Sequence, residues 1–342
     1  MSAETTPTVC ESCGSHKLER KDYLSSVDPK WCIGCGCYSV LGSLTRVFAG
    51  AGLLRENLVA ISGIGCTSRF PYYLNTYGFH TIHGRAPTVA LGLKLARPDL
   101  SVWIMTGDGD ALSIGGNHFM HIIRRNPNIK ILLLNNRIYG LTKGQASPTT
   151  ATGQKTKSTP FGALDIPLRP TSLALAMGAT FAARVPDTDG AMMNEVFEAA
   201  AKHRGVAFIE VMLNCVIFND GAYTQITGKE NRSTNSIRLT HGKPLLFGRN
   251  QECGLKLSAN GPEVVNFEPG QPPADLLVHD MHSEDAGRAY TLSLLEQPWA
   301  LGIFRQIEAP VYEEKFQTQA PVDDMQKFLA GSDAWLESGA RP

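Results

Sequence analysis

No stretch of this chain is apolar for the roughly 20 residues needed to cross a bilayer, and neither sign of charge is in excess, with 32 basic and 32 acidic side chains. The first absence argues against a membrane protein. The second removes the electrostatic case for nucleic acid or an acidic lipid surface, which a basic excess would favour. Residues 1–22 are polar and lack the apolar region of a signal peptide, so a cytoplasmic protein is expected. Internal repeats and low-complexity tracts are also missing. Cysteine is not: there are eight in 342 residues, several in Cys-x-x-Cys pairs and none at secreted-domain spacing. That usage points to metal or redox chemistry in a reducing compartment.

The apolar pattern alternates between helix and strand. Residues 1–30 form a lead with little periodicity. Helices are expected near 38–49, from Pro87 onward, near 116–125 and near 191–203; strands at 58–62, 102–105, 129–134 and 206–212. This order predicts an α/β fold, a doubly wound and mostly parallel sheet with helices on both faces. Residues 142–170 are rich in Thr, Ser, Gly, Lys and Pro without periodicity, a functional or mobile loop. The domain is expected to occupy 31–230, and the Pro/Gly-punctuated segment 231–342 to be an extension that wraps the core or a partner.

The clearest chemical signal is Thr106-Gly107-Asp108-Gly109-Asp110, answered by Asn135-Asn136-Arg137-Ile138. Asn136 follows Asp108 by 28 residues, about one strand-helix-strand unit. Both strands therefore end on the same sheet edge, where open α/β folds bind ligands. A carboxylate and an amide oxygen meet there while glycines admit a close backbone. Hard cations such as magnesium take oxygen ligands and retain a diphosphate in this way. A dinucleotide fingerprint would need glycine at position 112 and an EF-hand loop a polar ligand there; Leu112 satisfies neither. The plainer reading is a strand-to-helix turn capped by Asp110. Asp108, Asn136 and the Ile138 carbonyl are the expected magnesium ligands, with Gly107, Gly109 and Asp110 beside the diphosphate at a helix start.

Cys32 and Cys35 form a Cys-x-x-Cys turn, while Cys66 and Cys215 each follow a strand that ends at the same edge. Four thiolates suit a [4Fe-4S] cluster. They also suit zinc, and Trp31-Cys32-Ile33-Gly34-Cys35 superficially resembles a dithiol redox site. Spacing alone leaves these open. Cys37 and Cys253 read as inert buried thiols, and Cys10-Glu11-Ser12-Cys13 as half a zinc ribbon without its second half. His83, before Gly84 and Arg85 at a helix start, is placed to meet an anion or to be a satisfied structural histidine. His118 and His121, at i, i+3 in one expected helix, suggest a metal pair but lack carboxylate partners, and read as surface or packing residues.

These motifs together resemble a family. Trp31-Cys32-Ile33-Gly34-Cys35-Gly36, Gly63-Ile64-Gly65-Cys66, His83-Gly84-Arg85-Ala86, the Gly-Asp-Gly and Asn-Asn motifs with Tyr139-Gly140-Leu141-Thr142-Lys143-Gly144-Gln145, and Asn214-Cys215-Val216 occur in the order seen in β subunits of 2-oxoacid:ferredoxin oxidoreductases. The similarity spans about residues 31–223. It implies thiamine diphosphate with Mg2+, and a [4Fe-4S] cluster on Cys32, Cys35, Cys66 and Cys215. It adds Ile64, Gly65, Cys66, Thr67, Gly140 and Leu141 as cofactor contacts, and makes Lys143 the cation that meets the substrate carboxylate. Arg69, Lys155 and Lys157 are weaker candidates for an anion contact.

The implied reaction is oxidative decarboxylation of a 2-oxo acid. Carbon dioxide leaves, two electrons pass singly through the cluster to ferredoxin, and coenzyme A takes the acyl group. Overall resemblance, including Leu239-Thr240-His241-Gly242-Lys243-Pro244-Leu245, favours 2-oxoglutarate over pyruvate. A second domain for the aminopyrimidine is not evident in the chain, so the resemblance implies an α subunit carrying it and an (αβ)2 assembly. Two other classes share part of the pattern: non-oxidative thiamine-dependent decarboxylases or synthases, which need no clustered cysteines, and a zinc-bound structural subunit.

Overall fold

A computed structural model of the chain describes residues 18–259 and 261–319; Cys10 and Cys13 lie outside them. In chain order, α1 (Cys37–Gly50) is followed by β1 (Leu58–Ser62), the one-turn α2 (Phe70–Tyr73), β2 (Tyr77–His80), α3 (Ala86–Ala96), β3 (Ser101–Gly107), the short α4 (Asp108–Leu112), α5 (Gly116–Arg125) and β4 (Ile129–Asn135). Then come α6 (Pro170–Ala176), β5 (Phe181–Pro186), α7 (Gly190–Lys202), β6 (Ala207–Met212), the one-turn α8 (Thr224–Thr227) and α9 (Arg232–Asn235), β7 (Ser236–Leu239), β8 (Leu246–Phe247), β9 (Cys253–Ser258), β10 (Gly261–Asn266), α10 (Ala286–Ser293), β11 (Trp299–Gln306) and α11 (Tyr312–Gln319).

Eight strands form one sheet in the order β2-β1-β3-β4-β6-β5-β11-β7. The first six run parallel; β11 is antiparallel to β5, and β7 parallel to β11. β4, β5 and β6 are buried along their whole length, the near-continuous apolar pattern of strands covered on both faces. On one face α1 and α7 pack Phe48, Val196 and Phe197 over Trp103 and Ile209. On the other, α3 and α5 bring Ala90, Phe119 and Ile123 onto Ile104, Ile131 and Phe208. The fold is the expected doubly wound α/β sheet.

Seven strands, β2, β5 and β7 to β11, carry no clear signal in the sequence. β2 is exposed at all four residues, an edge strand with no buried face to create alternation. β5 has Arg184 in its middle, a residue that reads as a strand breaker. The sheet neutralises it because Arg184 is in register with Glu210 of β6. β11 lies far along the chain, within the segment after residue 230. That segment contributes β7 and β11 to the main sheet as well as a separate antiparallel sheet, β10-β9-β8, so it is built into the core and not only laid over it.

Candidate active site at the carboxyl edge

Because β1, β3, β4 and β6 are parallel and nearly in register, their last residues reach one edge together. Gly107 pairs with Leu134, and Asn135 with Met212. A narrow cleft of about 40 Å³ opens there between Ile64 to Thr67, Gly107 to Asp110, and Asn136 to Gly140. Asp108 starts α4 and is 2% exposed. Burial pushes its carboxyl above the usual range, against hydrogen bonds from Ser147, Thr149 and the backbone. Thr149 Oγ1 lies 2.6 Å from Asp108 Oδ2 and 2.9 Å from Asn135 Oδ1. One hydroxyl proton serves one acceptor, and the carboxylate is the stronger; Asn135 Oδ1 also accepts from the Arg137 N–H. A buried carboxylate served by hydroxyls and backbone, without a cationic side chain, fits a site for a hard cation.

Asn136 follows β4. Its Oδ1 accepts from the Ile138 N–H at 3.2 Å, and its carbonyl from Asn219 Nδ2 at 2.9 Å, so two segments fix this turn. Arg137 sits in the left-handed region at φ 56°. The chain then doubles back: Tyr139 N–H donates to the Gln145 carbonyl and Gly144 N–H to the Tyr139 carbonyl, both at 2.9 Å. Lys143 and Gly144 have φ 74° and 100°. This tight turn lays the Tyr139 ring on Gly109, where an added Cβ would stand 2.1 Å from a ring carbon, and Tyr139 OH donates to the Gly109 carbonyl at 3.1 Å.

Asp110 does more than present a backbone amide. Its Oδ1 accepts from the N–H groups of Ile64 (3.1 Å) and Gly84 (2.8 Å), and its Oδ2 from Thr106 Oγ1 (2.8 Å). One carboxylate therefore ties the loop after β1 and the turn before α3 to the start of α4. Gly63 leaves it room, since a Cβ there would stand 1.9 Å from Asp110 Oδ2. Gly84, at φ 66°, packs on Gly115. His83 is exposed, so the structure brings Gly84, and not the imidazole, into contact with this carboxylate.

The free thiols of Cys32, Cys35, Cys66 and Cys215 line an adjoining cavity of about 350 Å³, bordered by Lys30, Arg69, Leu141 and Lys143. The Cys32 carbonyl accepts from the Cys35 N–H at 3.0 Å, with Gly34 at φ 81° closing the turn. Trp31 Nε1 donates to the Cys66 carbonyl at 2.8 Å, which holds that turn against the end of β1. A Cβ on Gly140 would lie 3.5 Å from Cys215 Sγ and 3.7 Å from Cys66 Sγ, so this glycine clears the space between the two clefts. Four soft donors round a shared cavity fit an iron–sulfur cluster. Among the described residues no group of three His, Cys, Asp or Glu side chains is placed to hold a single metal ion.

Asp187 and Thr149 escaped the sequence reading, and Cys37, expected as an inert buried thiol, is buried but engaged. Cys37 is wholly buried under Cys35; its hydrogen bond draws Cys35 down to about 7 against the opposing burial. The run Cys32-x-x-Cys35-x-Cys37 was its only available signal. Asp187 Oδ2 accepts from the Asn214 N–H at 2.9 Å and lies where a Gly36 Cβ would be, joining the loop of Cys35 to that of Cys215. Thr149 had no signal, because it stands in an aperiodic loop. Cys253 is part-exposed, not buried, and bonds Asn266. His118 contacts Arg85. Arg69 donates to the Lys30 carbonyl, Lys157 lies over the Phe218 ring, and Lys155 is exposed.

Residues 63–211 match the family model described as thiamine pyrophosphate enzyme, C-terminal TPP binding domain. Over 347 aligned residues the chain is 47% identical to the 2-oxoglutarate oxidoreductase subunit KorB of Mycobacterium tuberculosis, covering 96% of this chain and 92% of the relative. It is 44% identical over 198 residues to subunit beta of 2-oxoacid:ferredoxin oxidoreductase 1 of Aeropyrum pernix, 58% of this chain and 62% of that one. A solved 2-oxoglutarate:ferredoxin oxidoreductase from Magnetococcus marinus, with 2-oxoglutarate, coenzyme A and succinyl-CoA bound, matches with a TM-score of 0.74 and 31% identity, covering 93% of this chain and 97% of that chain. With its Gly-Asp-Gly cradle and four convergent thiols, the chain belongs to the β-subunit family of thiamine diphosphate-dependent 2-oxoacid:ferredoxin oxidoreductases.

Proposed function

We propose that the chain is the β subunit of an enzyme that oxidatively decarboxylates 2-oxoglutarate with coenzyme A to succinyl-CoA and carbon dioxide, passing electrons to ferredoxin, and that it works with an α subunit in an (αβ)2 assembly. The observation that carries this is the adjacency of two clefts across Gly140: an oxygen-lined cradle at Asp108 and a cavity of four thiols. Full-length similarity to a 2-oxoglutarate oxidoreductase subunit supports the substrate.

In this reading Asp108, Asn136 and the Ile138 carbonyl hold Mg2+, while Cys32, Cys35, Cys66 and Cys215 hold a [4Fe-4S] cluster. When bound, thiamine diphosphate supplies the electron sink for decarboxylation and the cluster an exit for single electrons. The protein's own contribution is placement. Asp110 fixes the loops around the diphosphate contacts, Tyr139 roofs Gly109, and Lys143, exposed on its tight turn, offers a cation to the substrate carboxylate. A zinc-bound structural role is disfavoured because the thiols are not arranged around a single ion.

The test is anaerobic co-expression with the α subunit, followed by iron, sulfide, zinc and thiamine analysis and by assays with 2-oxoglutarate and pyruvate. About four iron atoms per β chain are expected, with 2-oxoglutarate preferred. Cys66→Ser should lower the iron content and remove the reduced-cluster signal in electron paramagnetic resonance. Zinc in place of iron would sink the redox reading; thiamine without iron would favour non-oxidative chemistry; a preference for pyruvate would correct the substrate.

A further inference from the structure

A second, small cleft, of about 40 Å³, lies on the other side of Asn135. That side chain faces Thr149 with its oxygen, at 2.9 Å, and Glu210 with its nitrogen, at 2.8 Å. Three arginines line the cleft. Arg169 is engaged: it pairs with Glu296 at 2.6 Å and donates to the Leu294 carbonyl at 3.0 Å. The other two are not fully used.

Arg184 is 2% exposed. Its Nε donates to Glu210 Oε2 at 3.0 Å and its Nη2 to the Ser293 carbonyl at 3.2 Å. Nη1 is buried and has no hydrogen-bond partner among the described residues. Arg137 forms no ion pair among them; its guanidinium lies over the Tyr223 ring at 4.7 Å and the Trp299 ring at 5.4 Å. Arg184 lies against the same indole at 5.4 Å. Two guanidiniums thus lie against one indole, and only that of Arg184 reaches the buried carboxylate of Glu210.

Glu210 cannot serve both. Its Oε1 accepts from Asn135, and its Oε2 from Thr171 at 2.6 Å as well as from Arg184. Aromatic faces attract a cation without neutralising it, and a buried N–H left unpaired costs free energy. One positive charge therefore remains uncompensated in a part-desolvated cleft whose walls also include Leu168, Leu295 and Trp299. An arginine fork with a free N–H matches a carboxylate, and the apolar walls suit a short carbon stem better than an inorganic oxyanion.

We propose that this cleft is a binding site for a short-chain carboxylate, held by Arg184 Nη1 and the charge of Arg137, separate from the Asp108 cradle. Neither metal nor cluster is a ligand of the carboxylate at this cleft. Carbon-13-labelled acetate is titrated into the αβ complex at constant ionic strength with chloride as counter-anion, and its resonance is followed. The expected result is saturable broadening, weakened at least about tenfold in Arg137→Gln, or about 1.4 kcal/mol. Arg184→Gln leaves Glu210 buried without its partner and can fail to fold, so Arg137→Gln carries the test. Broadening that is absent, that chloride abolishes, or that Arg137→Gln leaves unchanged would mean an adventitious ion only and overturn the proposal.

Discussion

Both ends of the central strands bury polar groups, yet they treat them differently. At the amino edge, Lys130 on β4 donates to the carbonyls of His203 and Gly205 and to Asn128 Oδ1. Lys94 donates to the carbonyls of Pro98 and Leu100. Asn126 Oδ1 accepts from Val206 N–H and Thr180 Oγ1. Every one of these groups is satisfied within the chain, as stability requires. At the carboxyl edge Asp108 is a buried carboxylate without a cation, four thiols face one cavity, and Arg184 keeps an unpaired N–H. Among these groups residual bonding capacity, not burial of charge as such, separates the two edges; Arg305 Nε, near the amino edge, is the exception that also lacks a partner.

The sharpest way to break this contrast is to remove one group from each edge. Asp108→Ala should lower αβ turnover of 2-oxoglutarate on the order of a thousandfold, about 4 kcal/mol of transition-state stabilisation, with Mg2+-dependent retention of thiamine diphosphate lost in equilibrium dialysis. Lys130→Met, at the amino edge, should lower stability by leaving the His203 and Gly205 carbonyls unpaired, yet leave turnover of the folded complex within about twofold of the parent, because it touches no group of the carboxyl edge. Equal loss in both variants would erase the distinction.

Asp110 tests whether the working edge also has a purely architectural member. Asp110→Ala strips one acceptor atom from two backbone N–H groups and another from Thr106, so a loss of about 3 kcal/mol in denaturant unfolding is expected. Asp110→Asn keeps an acceptor oxygen and should lose less. Similar losses for the two would mean that the charge, not the geometry, holds the loops.

How much of this edge the sequence displayed depended on periodicity. β1, β3 and β4 stood out as apolar runs followed by glycine or asparagine, and the Asp108 to Asn136 spacing located the edge before any coordinate. β5 did not, because Arg184 broke its apolar run and the partner that cancels it, Glu210, is a cross-strand neighbour 26 residues away. Asp110, Thr149 and Asp187 were similarly opaque: their roles are contacts between distant loops, which a linear pattern does not encode. The cysteines were legible as a set, whereas the fold was needed to put Gly140 between two of them.

The amino edge supplies a pH test. His203 is 7% exposed; burial first, then the Lys130 charge, holds its imidazole down to about 4 from an ordinary 6.5. Between those values the unfolded chain takes up a proton that the folded chain refuses. Stability from this group is therefore full above about pH 6.5 and is lost as pH falls through about 4. Urea midpoints should fall by the equivalent of about 3 kcal/mol across that window, and His203→Gln should flatten the slope. An unchanged slope would place the proton elsewhere.

The smallest expected effect asks why Gly109 is glycine. A helix interior favours alanine over glycine by about 1 kcal/mol, and Gly109 lies within α4; on propensity alone Gly109→Ala should stabilise. A Cβ there would stand 2.1 Å from the Tyr139 ring, displacing the ring and its hydrogen bond to the Gly109 carbonyl. We therefore expect Gly109→Ala to destabilise by about 1 kcal/mol in the parent, but to be neutral or stabilising when Tyr139→Ala has cleared the space. A double-mutant cycle reads the sign directly. Additive effects would show that the ring does not rest on Gly109, and the close approach at this edge would then have to be reserved for the cofactor alone.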